Sequence, residues 1–191
     1  VVTYDSSATA PTDAGSYGVE AVVDDANYTG SETGTLVIGQ ATATVTLGAL
    51  AATYDGSPRP VTTTTDPADL SVLVTYDGSV TAPTDAGSYG VEAVIDDVNY
   101  TGSATGTLVI GQATATVTLG ALAATYDGSP QPATVTTDPA GLALVVTYDS
   151  SATAPTDAGS YAVEAVVDDA NYTGSETGTL VIGQATATIT L

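Results

Sequence analysis

The segment Asp157-Ala158-Gly159-Ser160-Tyr161-Ala162-Val163-Glu164-Ala165-Val166-Val167 decides the fold class of this chain. From Tyr161 onward, its side chains fit a strand in which successive residues point to opposite faces. The pattern returns at Asp13–Val19 and Asp85–Val91, so the predicted strand is part of a repeated unit. The residues predicted to face inward are Tyr161, Val163, Ala165 and Val167, and the residues between them face outward.

The repeat length is 72 residues, because the sequence Val-Thr-Tyr-Asp ends at Asp5, Asp77 and Asp149. Two consecutive copies of 72 residues differ at only 13 positions. Such self-similarity is the signature of a tandem array, and we interpret the chain as a window from a longer one. The predicted divisions are 1–40, the later part of a module; 41–112 and 113–184, two complete modules; and 185–191, the first strand of a further module.

Strand signals fill the whole repeat. Short alternating runs rich in Val and Thr are separated by Gly, Pro, Asn and Asp, and no segment keeps helical spacing over three turns. Six or seven short strands with turns between them predict an all-β sandwich. In the third repeat the predicted strands are Ala115–Leu119, Ala133–Thr137, Leu144–Tyr148, Tyr161–Val167 and Thr179–Ile182, with weaker extended stretches near Ala123–Tyr126 and Ala152–Ala154.

The composition removes most familiar catalytic and metal chemistry. The 191 residues include one Lys or Arg against 22 Asp or Glu, a formal charge of −21, and neither His nor Cys. Disulfides, Cys/His zinc sites and His bases are therefore excluded. The negative charge repels nucleic acid and anionic lipid, and no apolar run is long enough to span a bilayer. We predict a protein that is not an enzyme, needs no cofactor, binds no nucleic acid and has no membrane insertion in this window.

The segment Asp157–Val163 resembles the Asp-x-Gly-x-Tyr-x-Cys stretch of immunoglobulin-like modules, with Val163 in the place of the Cys. That resemblance implies that the Tyr161 hydroxyl bonds back to nearby backbone. The repeat is more closely similar to the tandem MBG or YDG domains of bacterial surface proteins, over all 191 residues. The motifs that carry this likeness are Tyr126-Asp127-Gly128-Ser129-Pro130, Tyr76-Asp77-Gly78, the Ala-Gly-Ser-Tyr segment and Asn171-Tyr172-Thr173-Gly174.

Two copies of the Tyr-Asp-Gly motif depart from the pattern. Tyr4-Asp5-Ser6 and Tyr148-Asp149-Ser150 have Ser in place of Gly. Glycine adopts a positive φ without the steric penalty that other residues meet. We therefore do not expect a positive φ to be required at these turns.

The family resemblance implies a role as the stalk of a large adhesin or another secreted protein. Such a stalk is extracellular, lies at the cell surface and projects an adhesive domain, so that a host or surface ligand is bound by another domain.

Independently of the resemblance, only about two residues separate the last strand of one module from the first strand of the next. A linker this short predicts that neighbouring repeats of the same chain are partners, arranged as an elongated rod.

Acidic turns before the last strand are candidate calcium sites, since calcium prefers carboxylate and amide oxygens. No Asp-x-Asp-x-Asp-Gly loop occurs, and consecutive residues on a strand point apart. The alternative is a solvated turn whose Asp and Asn side chains accept local backbone amides. The candidate ligands are Asp24, Asp25, Asn27, Asp96, Asp97, Asn99, Asp168, Asp169 and Asn171.

Three further hypotheses stay open. The Asn-Tyr-Thr triplets that begin at Asn27, Asn99 and Asn171 match the N-glycosylation pattern, although an ordinary connection explains them equally. Thr rows such as Thr62–Thr65 are candidates for direct glycan or surface binding, or simply suit exposed strands. Finally, residues 185–191 of one chain could supply the first strand of the incomplete module 1–40 of another chain, giving a filament by strand donation. The second strand of that module would still be missing.

Overall fold

The structure, a computed structural model, describes residues 1–190, and every regular element within that range is a β-strand. The same range contains no helix with the length and apolar character that a membrane crossing requires. The backbone divides into two compact units. The first contains 1–50, 60–83 and 89–108, and the second contains 51–59, 84–88 and 109–191.

The first unit opens with an antiparallel sheet of three strands. These strands are β1 (Val2–Tyr4), β2 (Gly15–Val22) and β3 (Ser31–Ile38), paired in that order. Apolar side chains alternate along β2 and β3, and the residues on their apolar face are only half buried. These half-buried residues are Val19, Ala21, Leu36 and Ile38.

The second repeat supplies eight strands. In the first unit, β5 pairs with β7 and β8 with β9, all antiparallel, while the short strand β4 pairs parallel with β10. Ala43, Val45, Ala93 and Ile95 form the apolar core of this unit. In the second unit, β6 pairs parallel with the end of β11. The strands are β4 (Ala41–Thr42), β5 (Thr44–Gly48), β6 (Ala51–Thr53), β7 (Thr62–Asp66), β8 (Val72–Tyr76), β9 (Gly87–Ile95), β10 (Tyr100–Thr101) and β11 (Ser103–Gly111).

The third repeat lies wholly in the second unit and is a two-layer sandwich. One layer has the strand order β14-β19-β17-β16, the other is the antiparallel pair β13-β15, and β12 pairs parallel with β18. Tyr148, Val163, Leu180 and Ile182 form a buried cluster between the layers. The strands are β12 (Ala113–Thr114), β13 (Thr116–Gly120), β14 (Ala123–Thr125), β15 (Thr134–Asp138), β16 (Leu144–Tyr148), β17 (Gly159–Val167), β18 (Tyr172–Thr173) and β19 (Ser175–Gly183).

The predicted all-β, immunoglobulin-like sandwich is confirmed. Along β17, Val163 and Ala165 are buried and Tyr161 is half buried, while Ser160 and Glu164 are exposed. The stretch predicted at Ala152–Ala154 is not a strand, because the Ser151 hydroxyl accepts the Thr153 amide hydrogen and so replaces a strand partner locally. The two-residue strands were missed, since they are too short to show alternation.

The segment 185–191 was predicted as the first strand of a further repeat. Residues 185–190 form no strand, and Leu191 lies outside the described residues. In the complete repeats, the equivalent segment becomes strand by pairing with later parts of the same repeat, as β12 does with β18 and β13 with β15. The division of the chain at residue 185 stays a prediction.

The expectation that a positive φ is not required at the Ser-containing turns is wrong. Ser6 and Ser150 have φ of 69° and 70°, close to the 84° of Gly78. Tyr4 and Ser7 exchange both backbone hydrogen bonds, at 2.7 and 2.8 Å, so the two residues between them form a tight hairpin turn. Hairpin turns of this length favour a positive φ at both central residues, and the strand pairing holds Ser in that conformation.

Candidate functional site

The tyrosine corner fixes the residues that precede each long strand. The Tyr17 hydroxyl donates to the Asp13 carbonyl at 2.8 Å, and the Tyr161 hydroxyl donates to the Asp157 carbonyl at 3.0 Å. The predicted bond back to nearby backbone is therefore confirmed at both positions. Because the corner uses the backbone carbonyl of Asp13, the side chain of this Asp remains available for another partner.

That partner is an asparagine of the next repeat. The Asn99 Oδ1 atom accepts the Ala14 amide hydrogen at 2.7 Å, and the Asn99 Nδ2 atom donates to Asp13 Oδ1 at 3.0 Å. The side-chain amide of Asn99 thus donates one hydrogen bond and accepts another, and its two partners are adjacent residues that lie 86 and 85 residues earlier in the chain. We call Asp13, Ala14 and Asn99 the first junction.

The same arrangement occurs 72 residues later. Asn171 Oδ1 accepts the Ala86 amide hydrogen at 2.7 Å, and Asn171 Nδ2 donates to Asp85 Oδ1 at 3.1 Å. We call Asp85, Ala86 and Asn171 the second junction. Since the same atoms meet at nearly the same distances, the contact is a property of the repeat and not of one position.

The linker between repeats is itself bound to the turn that carries the asparagine. Gln40 Nε2 lies 3.1–3.3 Å from the carbonyl oxygens of Asp97, Val98 and Tyr100. The next residue, Ala41, donates its amide hydrogen to the Asn99 carbonyl at 2.8 Å. Gln112 repeats this pattern with three carbonyl oxygens of the following turn at 3.0–3.2 Å. The short predicted linker is therefore held in place by backbone and side-chain hydrogen bonds.

Glycine in the Asn-Tyr-Thr-Gly motif is required by close backbone packing. A Cβ atom on Gly102 would clash with the carbonyl oxygen of Ala43, and one on Gly174 would clash with that of Ala115. At the same place the Ala43 amide donates to the Thr101 carbonyl at 2.9 Å. The motif thus combines an asparagine that reaches the preceding repeat with a glycine that admits the linker strand.

The acidic side chains of these turns accept local backbone amides. Asp97 Oδ1 accepts the amide hydrogens of Asn99 and Tyr100 at 2.7 and 3.1 Å, and Asp169 does the same for Asn171 and Tyr172 at 2.7 and 3.1 Å. This is the geometry of the solvated-turn alternative. Of the predicted ligands, the exposed residues are Asp24, Asp25, Asn27, Asp96 and Asp168, and the half-buried residues are Asp97, Asn99, Asp169 and Asn171.

Calcium binding at these turns stays a prediction. Within residues 1–190, no three acidic side chains are grouped closely enough to hold a metal ion. At the two internal turns, an ion would share the Asp Oδ1 atom with two amide hydrogens and the Asn Oδ1 atom with a third. A calorimetric calcium titration with a chelator control tests the prediction directly.

A tyrosine pair, which sequence reasoning missed, joins the second junction. The rings of Tyr54 and Tyr172 meet edge to face, with centroids 5.3 Å apart and planes at 81°. Partial burial raises the pKa of Tyr54, and the neighbouring Tyr172 and the carboxylates of Asp85, Asp169 and Asp55 raise it further. The available signal was that the Tyr-Asp-Gly and Asn-Tyr-Thr motifs recur together at a constant spacing.

The Thr rows and the glycosylation pattern have definite places in the structure. Thr62 and Thr64 are exposed, whereas Thr63 and Thr65 are half buried, so only alternate hydroxyls of that row face outward. The Nδ2 atoms of Asn99 and Asn171, which would carry a glycan, donate to Asp13 and Asp85. Direct ligand binding and glycosylation remain predictions.

Comparisons with known proteins place these repeats in a family. The chain is similar to the solved structure of Sidekick-1 immunoglobulin domains 1–4, with 16% sequence identity, a TM-score of 0.36, and coverage of 94% of this chain and 60% of that one. No curated protein sequence matches it. The family model described as MBG domain matches residues 1–42, 43–114 and 115–186. Since these three consecutive matches span nearly the whole chain, the chain belongs to the MBG domain family.

Proposed function

We propose that these repeats act as a structural spacer of a bacterial extracellular surface protein, where they project an adhesive domain away from the cell. Tandem immunoglobulin-like MBG repeats are consistent with the repeat region of an extracellular surface protein. A spacer needs no catalysis and no cofactor. Its role is to hold two other parts of the protein at a fixed separation.

The observation that carries this proposal is the recurrence of the junction. Asn99 and Asn171 make the same pair of hydrogen bonds to the preceding repeat, and Gln40 and Gln112 make the same three contacts to the turn. Each junction therefore restrains the linker and the two repeats beside it. Repeats that are restrained in the same way at every step add a constant increment of length, which is the requirement for a spacer.

The composition supports a role outside the cell. The chain has no Cys or Met that an oxidant could modify, and its single Arg or Lys residue offers one site to trypsin-like proteases. The charge of −21 keeps neighbouring copies apart on a crowded surface. These properties suit a structural segment that must resist oxidation and proteolysis outside the cell.

Small-angle X-ray scattering on chains of two, three and four complete repeats tests the proposal. A spacer adds a constant increment to the maximum dimension, roughly 30 Å per repeat if nine-residue strands run along the array at about 3.3 Å per residue. Growth that slows with the square root of repeat number, as in freely jointed units, would contradict the proposal.

The matched variants, made in the 191-residue chain, are Asn99→Ala and Asn171→Ala against Asn27→Ala. The first two remove a junction, whereas Asn27 is exposed. We expect a broader distribution of dimensions for the junction variants and an unchanged profile for Asn27→Ala. Equal profiles for all three variants would show that the asparagines do not restrain the repeats.

A further inference from the structure

The opening and closing segments of a complete repeat run side by side in the same direction. In the third repeat, β12 pairs parallel with β18, and β14 pairs parallel with the end of β19. Ala113 lies opposite Tyr172 at the start of this pairing, and Thr125 lies opposite Gly183 at its end. The chain therefore enters the repeat at one end of the paired segments and leaves it at the other.

Backbone hydrogen bonds join the two segments near both of their ends. The amide donors and carbonyl acceptors are Ala113 to Asn171 at 2.9 Å, Ala115 to Thr173 at 2.8 Å, Val181 to Leu122 at 3.0 Å, and Tyr126 to Gly183 at 2.8 Å. We call segments 113–126 and 171–183, joined by these bonds, the mechanical clamp of the repeat.

Side-chain packing fixes the position of one segment along the other. A Cβ atom on Gly178 would lie 3.0 Å from a methyl group of Leu119 and 3.2 Å from one of Leu122, so both leucines pack against this part of β19. The Ala115 carbonyl packs so closely against Gly174 that no Cβ is tolerated there. Because strand side chains alternate between faces, a slip of one residue would expose buried side chains. Packing and hydrogen bonds thus both resist sliding of the two segments.

The bonds at the two ends of the clamp also occur in the second repeat. The Ala41 amide donates to the Asn99 carbonyl at 2.8 Å, which is the equivalent of the first bond of the clamp. The Tyr54 amide donates to the Gly111 carbonyl at 2.9 Å, which is the equivalent of the last bond. The arrangement is therefore a property of the repeat.

We propose that the mechanical clamp lets each repeat transmit tension along the chain without unfolding. Tension pulls the residues before Ala113 and the residues after Gly183 apart, along the direction of the paired strands. Parallel strands have evenly spaced bonds, and a force along the strands loads these bonds together. A pair of strands pulled apart from one end loses its bonds one after another instead. This inference rests on the proposed spacer role, because a spacer carries any force that acts between the parts it separates.

Single-molecule pulling of the 191-residue chain tests the proposal. The chain has no Cys, so two introduced Cys residues define where the force acts. Gly111→Cys with Gly183→Cys loads the clamp along its strands, and both glycines are exposed positions where a Cβ makes only ordinary contacts. We expect a single rupture at high force that releases roughly 200 Å of chain, because an extended chain spans about 3.3 Å per residue.

The matched control applies force to the same repeat in another direction. Ala143→Cys with Asp168→Cys places the two handles where β16 begins and β17 ends, and the Asp168 amide donates to the Ala143 carbonyl at 2.9 Å. Force at these positions separates two antiparallel strands from one end. Since forced unfolding depends on the unfolding rate along the loaded direction, we expect a rupture force lower by about twofold or more than for the first pair of handles. A smaller difference, or a higher force, would overturn the proposal.

Ala113→Pro locates the resistance in the clamp. Proline lacks the amide hydrogen that Ala113 donates to Asn171, and the first residue of a strand tolerates proline. Ala41→Pro is the matched control, because it makes the same change one repeat earlier, outside the loaded segment 111–183. We expect only Ala113→Pro to lower the rupture force along the strands, with no change for the handles at 143 and 168. Equal losses in both directions would show general destabilisation and overturn the proposal, and circular dichroism verifies that each variant is folded.

Scattering and pulling separate this inference from the spacer role. A constant length increment per repeat together with equal rupture forces in the two directions would retain the spacer and reject the clamp. Length growth typical of freely jointed units, together with a high force along the strands, would reject the spacer and retain a clamp within the single repeat.

Discussion

The side-chain amide of Asn171 lies 3.1 Å from the carboxylate of Asp85, across 86 residues of sequence. The same asparagine accepts the Ala86 amide hydrogen at 2.7 Å. Two polar groups of one repeat are therefore satisfied by a single residue of the next. A half-buried contact of this kind couples the stability of neighbouring repeats, as expected for arrays in which each unit is small.

Replacing Asn171 with Ala is expected to lower the free energy of unfolding by about 1–2 kcal/mol, because two hydrogen bonds are lost and the Ala86 amide loses its acceptor. Asn171→Asp keeps the acceptor but places a second carboxylate against Asp85, so it is also expected to destabilise at neutral pH. Urea unfolding followed by circular dichroism measures both effects.

The control for this series is Asn27→Ala. Asn27 occupies the equivalent turn and is exposed, so its replacement is expected to change the free energy of unfolding by less than about 0.5 kcal/mol. Equal destabilisation by the two alanine variants would show that the asparagine acts within its own turn and not between repeats.

Much of the fold follows from local patterns in the sequence. Alternation along β17 fixed which residues are buried, and the Asp-x-Gly-x-Tyr motif predicted the bond from Tyr161 to the Asp157 backbone. Such patterns are readable because the interacting residues lie within one strand or one turn. The positive φ of Ser150 was not predictable from residue type, because the hairpin pairing on either side of the turn imposes it.

The role of Asn99 was not predictable in the same way. Asn beside Asp is equally typical of a calcium ligand, a glycosylation triplet and a turn. Its partners Asp13 and Ala14 lie 86 and 85 residues away, beyond the range of any local pattern. Only the constant spacing between the Asp-Ala-Gly and Asn-Tyr-Thr motifs in successive repeats carries information about this contact.

Gly174→Ala is expected to destabilise the third repeat by about 2 kcal/mol or more, because the added methyl group meets the Ala115 carbonyl, which is backbone and has little room to move. Gly183→Ala is the matched control, since its Cβ would lie 3.7 Å from the Ala124 carbonyl, an ordinary contact. Thermal unfolding of the two variants measures the difference. If Gly183→Ala were the more damaging change, close approach at Gly174 would not be the reason for glycine there.

Ser150→Gly is expected to stabilise the chain by about 1 kcal/mol. Ser150 has φ of 70°, a region that costs residues with a Cβ about 1–2 kcal/mol and glycine much less, although the greater freedom of glycine in the unfolded chain offsets part of the gain. The second repeat already has glycine at this turn, with Gly78 at 84°. The reverse change, Gly78→Ser, should lower the free energy of unfolding by a similar amount, measured by urea unfolding. If both changes raised the free energy of unfolding, backbone strain at the turn would be ruled out as the cause.

Alkaline pH is expected to weaken the second junction through Tyr54. Partial burial, together with Tyr172 and nearby carboxylates, raises the pKa of Tyr54 in the folded chain, whereas in the unfolded chain its pKa is about 10. The contribution of this residue is therefore fully present below about pH 10 and is lost as the pH rises through the folded pKa, because the unfolded chain releases the proton first. Urea midpoints measured from about pH 8 to pH 11 should fall less steeply with pH for Tyr54→Phe than for the unmodified chain.

Tyr126→Phe serves as the control for this measurement, because Tyr126 occupies the equivalent position and is 41% exposed. Parallel pH profiles for the unmodified chain and Tyr54→Phe would show that ionisation of Tyr54 is not linked to unfolding.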